Sequence, residues 1–183
     1  GGTPTLQTGF PVNVTGDTTI GANGRWTMTN VGVPRIAALN GNFVMASGGQ
    51  FSPNNNQVNV RGNWSNACTF NAGTSTVAFN GDTGQTVTGD TTFYNFTKAV
   101  TAAQQMNFTA GSLTTVTNSL TLTGTAGNIL SLRSTTDGTY WNIQVPTTRT
   151  VNYVNVKDSD NTTGVLVNPT NSVDAGHNVN WFP

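Results

Sequence analysis

The feature that most constrains this chain is a short motif, apolar-x-apolar-x-Gly, that recurs along it. It occurs as VNVTG, VNVRG, VAFNG and LTLTG, beginning at residues 12, 58, 77 and 120, and Val165 with Val167 repeats the apolar pair. Such alternation indicates strands with one buried face. The intervals between these starts fit one or two coils of about 19 to 23 residues. The hexapeptide VTGDTT, at residues 14–19 and again at 87–92, is a second sign of repetition.

This repetition predicts an all-β fold, a single-domain parallel β-solenoid (β-helix) over residues 1–183. Extended segments are expected at residues 1–11 and 178–183, and a longer polar loop at 158–164. The composition of 34 Thr, 25 Asn and 21 Gly suits strands joined by many turns. A β-sandwich is the alternative, because it also consists of short strands separated by turn signals.

In a solenoid, alternate side chains point inward and stack on their counterparts one coil away. The glycine that follows each strand is expected to supply a left-handed corner residue. The predicted inward residues are Val12, Val14, Phe43, Val58, Val60, Phe70, Val77, Phe79, Val87, Phe93, Phe108, Leu120, Leu122, Leu130, Leu132, Ile143, Val145, Val154, Val156 and Val165.

Charge is scarce in this chain. Asp, Arg and Lys together make up 8% of the residues, Glu is absent, and the formal net charge is zero. Bulk electrostatics therefore does not draw the chain to nucleic acid or to an anionic membrane surface, and no nucleic-acid partner is expected. No membrane insertion is expected either, because no apolar run approaches the length of a membrane span. A surface of hydroxyls and amides also suits packing against copies of the same chain, because little charge resists association.

Reactive residues are few, and each has a structural explanation. Asp17 and Asp90 occupy the same place in the two VTGDTT copies, which indicates a turn role rather than a catalytic pair. The sequence Asp158-Ser-Asp160 resembles the start of a calcium loop, but a solvated turn is favoured because the later ligand positions do not fit. His177 is the single histidine and is expected in an exposed turn. Cys68 is the single cysteine and is expected to be a small buried hydrophobe. No catalytic, metal-binding or cofactor-binding residue is predicted, and no cofactor is expected.

Two surface patterns leave a binding function open. Thr-x-Thr pairs such as Thr27/Thr29, Thr86/Thr88 and Thr121/Thr123 would form a hydroxyl array on a flat face, of the kind that ice-binding solenoids present. The four tryptophans, Trp26, Trp64, Trp141 and Trp181, would form a sugar-stacking strip if exposed, although core or end-cap positions are more usual for tryptophan in a β protein.

Several segments from residue 76 onward resemble a known kind of repeat. They are VTGDTTFYNFT, LTLTGTAGNILSLRSTTDGTYWNIQVP, VNYVNVKDSD and NSVDAGHNVNWFP. These segments resemble the Thr/Asn/Gly-rich parallel β-solenoid repeat regions of large secreted and surface (adhesin-like) proteins of bacteria. The resemblance implies an exported, non-catalytic surface or adhesin-like protein, and it carries over no site residues. Because the sequence begins Gly-Gly-Thr-Pro without an initiator Met, a processed form whose leader has been removed is expected.

The two ends of a solenoid expose unpaired strand edges that are either capped or used for assembly. We therefore predict a non-enzymatic extracellular structural subunit that associates with itself, head to tail, into cell-surface filaments. The candidate subunit-interface residues are Phe10, Trp181 and Phe182, and Trp181 with Phe182 would serve equally well as a cap on the last coil. The alternative is an adhesin-like module that binds surface carbohydrate or ice.

Overall fold

The computed structural model describes residues 5–29 and 33–183, and within them it contains strands and turns but no helix. Twenty-two short strands follow one another along the chain. They are β1 Thr5–Thr8, β2 Val12–Val14, β3 Thr18–Ile20, β4 Arg25–Met28, β5 Ile36–Leu39, β6 Phe43–Met45, β7 Gln50–Ser52, β8 Gln57–Val60, β9 Trp64–Asn66, β10 Thr69–Phe70, β11 Thr76–Phe79, β12 Gln85–Thr88, β13 Thr91–Ala99, β14 Gln104–Phe108, β15 Leu113–Thr123, β16 Leu130–Ser134, β17 Trp141–Gln144, β18 Thr148–Asn152, β19 Val154–Val156, β20 Ser159–Asp160, β21 Val173–Asp174 and β22 Asn178–Val179.

These strands stack into three parallel sheets, of which B and C run along the molecule and A ends with β10. Sheet A has the order β1-β4-β7-β10, and sheet C has the order β21-β19-β16-β14-β12-β9-β6-β3. Sheet B has the order β2-β5-β8-β11-β13-β15-β17-β20-β22, with β18 paired to the second half of β15. The chain visits sheets A, B and C in turn up to β12 and afterwards moves between sheets B and C. The result is a β-solenoid of about seven turns. The predicted solenoid is confirmed, and the sandwich alternative is wrong.

The length of a coil varies more than the sequence pattern predicts. Val58 pairs with Val77, and Phe43 pairs with Trp64, so these two coils have the length expected from the motif spacing. Near the carboxyl terminus, however, Leu120 pairs with Arg149, and the coil between them is longer than the pattern predicts. The additional residues lie in the turns between strands, where insertions cost little free energy.

The VTGDTT repeat that suggested the solenoid does not mark equivalent positions. Its first copy, residues 14–19, runs from the end of β2 in sheet B into β3 in sheet C. Its second copy, residues 87–92, runs from β12 in sheet C into β13 in sheet B. The same six residues therefore turn two different corners, and Asp17 and Asp90 do not share a repeat position.

The core is one continuous apolar column inside the solenoid. Sixteen of the twenty predicted inward residues are buried in it, and Val12, Val14 and Phe70 pack against it while partly exposed. The prediction that Val165 points inward is wrong, because Val165 is 42% exposed in the connection that leads to β21. The prediction of one polar loop over residues 158–164 is also wrong, since Ser159 and Asp160 form β20 and the Ser159 side chain is buried.

Aromatic rings connect successive coils along this column. Trp64 contacts Phe43 at 5.1 Å and Phe93 at 5.3 Å between ring centroids, and Phe108 stacks on Trp141 at 4.0 Å. All four tryptophans are buried. The core interpretation of the tryptophans is therefore correct, and a sugar-stacking strip is excluded because no indole face is exposed.

Candidate functional site

The amino-terminal end of the solenoid has open strand edges. The edge strands β1, β2 and β3 pair on one side only, with β4, β5 and β6 respectively, among the described residues. The other edge of each strand presents backbone N–H and C=O groups that a further strand can pair with. This end therefore offers three adjacent edges, one from each sheet.

An apolar recess opens on this same end. It has a volume of about 390 Å³ and is bordered mainly by Leu6, Val12, Val14, Ile20 and Trp26. Val12 and Val14 remain partly exposed because no described coil covers them. Thr18 also borders the recess, and its Oγ1 is buried without a hydrogen-bond partner among the described residues.

Phe10 lies in the connection between β1 and β2, at this end of the molecule. Its ring is 79% exposed, which makes it the most exposed of the large apolar side chains of the described residues. Leu6, on the edge strand β1, is also exposed. The sequence-predicted residue Phe10 is thus exposed on the same terminal coil as the recess, although it does not border the recess itself.

The carboxyl-terminal end is built differently, because Trp181 fills it from within. The indole is 0% exposed, its Nε1 donates a hydrogen bond to Ser159 Oγ at 2.7 Å, and its carbonyl accepts one from the Asn168 amide at 2.8 Å. The sequence left two roles open for Trp181, a cap on the last coil or a contact with the next subunit. In the structure Trp181 caps the last coil. Phe182 is only partly buried against the core, so it is the aromatic residue that this end presents at its surface.

A hydrogen-bonded cluster stabilises the last corner of the solenoid. His177 Nδ1 lies 2.7 Å from Asp158 Oδ1, and the imidazole stacks on the Tyr140 ring at 4.0 Å. Asp158 is 2% exposed, and its second oxygen accepts a hydrogen bond from the Gly138 amide at 3.0 Å. Burial acts to raise the pKa of Asp158, but the hydrogen bonds from Gly138 and His177 outweigh it and lower the pKa below its ordinary value. The acidic loop predicted as a solvated turn is thus partly buried.

A buried lysine, Lys98, is the polar residue that sequence reasoning missed. Its side chain is 0% exposed, and Nζ donates hydrogen bonds to Gln85 Oε1 at 2.7 Å and to the Gly81 carbonyl at 3.2 Å. Gln85 in turn donates to the Gly62 carbonyl at 2.7 Å. Burial lowers the pKa of Lys98 to about 8, partly offset by attraction to Asp82. Alternation after Phe96 is the signal that would have placed Lys98 inside.

The aspartates considered as a catalytic pair both bind backbone. Asp17 Oδ1 accepts a hydrogen bond from the Asn42 amide at 2.7 Å, and Asp90 Oδ1 accepts one from the Leu113 amide at 2.8 Å. Each carboxylate thus joins its corner to the next coil, which is the structural role predicted for both, although their corners differ. Cys68 is half-buried against the core, and burial raises the pKa of its thiol. Within residues 5–29 and 33–183, no group of three or more His, Cys or Asp side chains could hold a metal ion.

The predicted Thr-x-Thr pairs lie on different faces. Thr27 belongs to sheet A, Thr86 and Thr88 to sheet C, and Thr121 and Thr123 to sheet B. A different set of hydroxyl side chains is aligned by the register between strands, although the spacing of these residues in the sequence does not show it. On sheet B, Thr97 pairs with Thr121, which pairs with Thr150. We call these three residues, with the flanking Ser119 and Thr148, the threonine face.

The described part of the chain is thus a parallel β-solenoid with an apolar recess at its amino-terminal end and a buried tryptophan that fills its carboxyl-terminal end. No protein-family model, no curated protein and no solved structure matches this chain. In the part of the chain that the structure describes, there is no helix of the length and apolarity needed to cross a bilayer.

Proposed function

We propose that this chain is a non-enzymatic structural subunit that associates end to end with copies of itself into extracellular, cell-surface filaments. The observation that carries the proposal is the amino-terminal end, where three open sheet edges surround an apolar recess of about 390 Å³. Open edges of this kind are sites of strand addition, either within an assembly or by aggregation.

The opposite end of a second copy is the partner that the fold favours. Its outermost strands, β21 and β22, belong to sheets C and B, so a parallel continuation would preserve both sheets across the joint. A joint between unlike ends is heterologous, and because it leaves one end of each type free it adds subunits without closing. Filaments are the expected product.

Apolar anchors and backbone hydrogen bonds would share the stabilisation of the joint. Phe182 of the second copy would enter the recess beside Val12 and Val14, and Phe10, on the same terminal coil as the recess, would contact that copy nearby. Burying one such aromatic side chain contributes about 1.5–3 kcal/mol, and each new strand hydrogen bond contributes about 0.5–1.5 kcal/mol. Trp181, which is buried in the same copy as Phe182, would hold that end of the chain in place.

The side walls of the solenoid are consistent with such an assembly. Two ion pairs between Asp and Lys or Arg, Arg61–Asp82 and Lys157–Asp137, occur among the described residues. With a net charge of zero, stacked subunits would repel one another little. The extracellular location rests on the resemblance to secreted repeat regions, and surface glycans are the second partner that it suggests.

Concentration-dependent assembly of the purified chain tests this function. Sedimentation velocity from micromolar to millimolar chain, followed by negative-stain electron microscopy, should show a series of linear oligomers that lengthen with concentration. Phe10→Ser should shorten the series at unchanged thermal stability, because its side chain is exposed. Phe182→Ser should also shorten the series, with a small loss of thermal stability because that ring is partly buried against the core. A species that remains monomeric at the highest concentration would refute the proposal.

A second candidate function has its own observation, the threonine face. Its hydroxyls lie about 4.8 Å apart between coils and about 6.8 Å apart along a strand, which makes a regular array suited to ice or to a flat glycan. Thermal hysteresis and glycan-array binding by the monomer would support it, provided that Thr121→Val abolishes the signal. Thr88→Val, on sheet C, is the matched control and should leave the signal unchanged.

A further inference from the structure

A groove opens on the side of the solenoid, where the ladder of sheet B is interrupted. Strand β15 pairs with β17 up to residue 115 and with β18 from residue 119 onward. Between these pairings, residues 116–118 and 145–147 border an opening of about 640 Å³. Pro146 has no N–H with which to continue the ladder there. We call this opening, with the side chains around it, the side groove.

Uncharged side chains that form hydrogen bonds line the side groove. Thr115 and Gln144 are register partners on β15 and β17, so they stand side by side, about 4.8 Å apart. Thr147, Thr148 and Thr163 complete this polar lining. None of these five side chains hydrogen-bonds to a described residue, so all are available to a ligand. Hydroxyl and carboxamide groups both donate and accept hydrogen bonds.

Two charged residues lie close to the side groove in the chain, but neither lines it. Arg149 turns its guanidinium to backbone carbonyls, among them that of Val167, to which Nε donates at 3.1 Å. Asp160 borders a separate recess of about 250 Å³, and its Oδ1 accepts a hydrogen bond from the Thr162 amide at 2.7 Å. The side groove therefore provides no counter-ion, and its chemistry favours a neutral ligand.

A buried side chain holds the segments that border the side groove in place. Asn161 is 0% exposed, and its Oδ1 accepts a hydrogen bond from the Val145 amide at 3.2 Å. Its Nδ2 donates to the Val165 carbonyl at 2.7 Å. Asn161 thus joins residues 145–147 to residues 163–165, which both border the groove. A site whose parts are already ordered loses less conformational entropy when a ligand binds.

Gly164 is required by the same close contact. A Cβ at this position would overlap Asn161 Oδ1 and would lie 2.8 Å from the Val145 nitrogen. The φ of Gly164 is not positive, so its backbone conformation does not need glycine. The same is true of Gly16 and Gly62, and the expectation of left-handed corner residues is wrong there. A side chain at position 164 would displace Asn161 and with it the border of the groove.

We propose that the side groove binds a neutral oligosaccharide, as part of a surface polysaccharide. Sugar hydroxyls donate and accept hydrogen bonds, which matches the free hydroxyls and the Gln144 carboxamide. Val165, which is 42% exposed, and Pro146 offer apolar surface to the C–H groups of a sugar ring. The volume lies in the range usual for ligand sites. The proposal specifies the surface-glycan partner and does not depend on end-to-end assembly.

NMR titration of the ¹⁵N-labelled full chain tests the side groove. The probes are cellohexaose, maltohexaose, laminarihexaose and chitohexaose at millimolar concentration. At least one should shift the amides of residues 115–118, 144–148 and 163–165, together with the Gln144 side-chain amide. Gln144→Ala should weaken that binding at least fivefold and Thr115→Val at least threefold. Gln105→Ala, at an exposed glutamine on sheet C, is the matched control and should bind like the wild type.

A charged probe and a second measurement complete the test. A hexamer of galacturonate should bind at least tenfold more weakly than the best neutral sugar, because the groove has no counter-ion, and equal or tighter binding would overturn the proposal. It also falls if no neutral probe shifts these residues, or if the shifts centre on Thr97 and Thr121 of the threonine face. Sedimentation of the same samples keeps the two functions apart. A chain that assembles without binding sugar loses only this site, and a monomer that binds sugar loses only the assembly.

Discussion

Lys98 shows how a single buried residue links two coils. Its ammonium group donates hydrogen bonds to the Gln85 carboxamide and the Gly81 carbonyl, and no carboxylate of the described residues hydrogen-bonds to it. Burying a charge with only neutral partners is costly, which is why its pKa falls to about 8. Because the unfolded chain retains a pKa near 10.5, folding and protonation oppose one another at this site.

The first prediction follows from the sign of that shift. Between pH 8 and 10.5 the folded state releases the Lys98 proton before the unfolded state does, so the free energy of unfolding rises with pH. The rise amounts to about 3 kcal/mol at about 1.36 kcal/mol per pKa unit. Urea titrations across this range should show it in the wild type. Lys98→Met should remove most of the slope, and an equal slope in the variant would assign it to other groups.

The second prediction concerns acid. The pKa of Asp158 is lowered in the folded state, so its stabilising contribution is complete above the unfolded value of 3.8 and is lost as pH falls through the lower folded value. Asp158→Asn should cost about 1–3 kcal/mol at pH 7, and its difference from wild type should shrink below pH 3.8. Asp137→Asn, at an exposed carboxylate, should change stability by less than about 0.5 kcal/mol. A difference that stays constant down to pH 2.5 would contradict this role for Asp158.

At the scale of the elements, the corners must fit the coil spacing of about 4.8 Å that the hydrogen-bonded strands impose. Most strands are short and share the same alternation of side chains. At a corner glycine such as Gly62, by contrast, an added Cβ would collide with the backbone of the preceding coil. A side chain placed there would push two coils apart along the whole corner. Strand hydrogen bonding therefore sets the coil spacing, and glycine occurs at corners where that spacing leaves no room for a Cβ.

The third prediction compares the same substitution, Gly to Ala, at Gly16 and at Gly62, which each lie in a corner just before a strand of sheet C. Gly62→Ala should destabilise the chain by about 1–3 kcal/mol, as overpacking does. Gly16→Ala should be neutral or stabilise by up to about 1 kcal/mol, since it restricts the unfolded chain without a clash. Chemical denaturation of both variants measures the contrast. Equal effects at the two positions would mean that coil contact is not what requires the glycine.

The sequence predicts the strands better than it predicts their partners. Alternation correctly places residues such as Val58, Val77 and Leu120 inside, because side-chain period depends only on the local backbone. Register depends on turn length, so the long coil that begins at Leu120 and the unlike corners of the two VTGDTT copies were not predicted. For the same reason the threonine face appears only when strands are aligned. Of the candidate site, Phe10 was found as an exposed apolar residue, whereas the recess beside it is visible only once the first strands of all three sheets are placed.

At the scale of the whole molecule, stability is distributed along a line. Each coil contacts its neighbours and little else, so local openings at an end need not unfold the centre. The two ends also differ, since the aromatic side chain of Trp181 completes one of them and the recess leaves the other incomplete. This asymmetry gives the molecule a direction, which a head-to-tail assembly requires.

The fourth prediction tests the filled end. Trp181→Ala should destabilise the last coil by about 3–5 kcal/mol, as loss of a buried tryptophan does. Amide hydrogen exchange should accelerate in β20 and β22, while β8 and β11, in the middle of the stack, keep their protection. Phe182→Ala should have a smaller effect because that ring is partly exposed. Uniform loss of protection along the chain would show that the solenoid unfolds as one cooperative unit.

The parallel stacking of β2 through β22 also determines how the molecule responds to force. A pull on the two chain termini loads the hydrogen bonds of one outer coil at a time, so coils should peel off in sequence. The register distance from one coil to the next ranges from the 18 residues between Trp141 and Ser159 to the 29 between Leu120 and Arg149. At about 3.4 Å per extended residue, each event should lengthen the tether by about 60–100 Å. Optical-tweezer traces should show extension steps of that size, and the protein would then act as a spacer that lengthens one coil at a time. A single unfolding step for the whole molecule would contradict this.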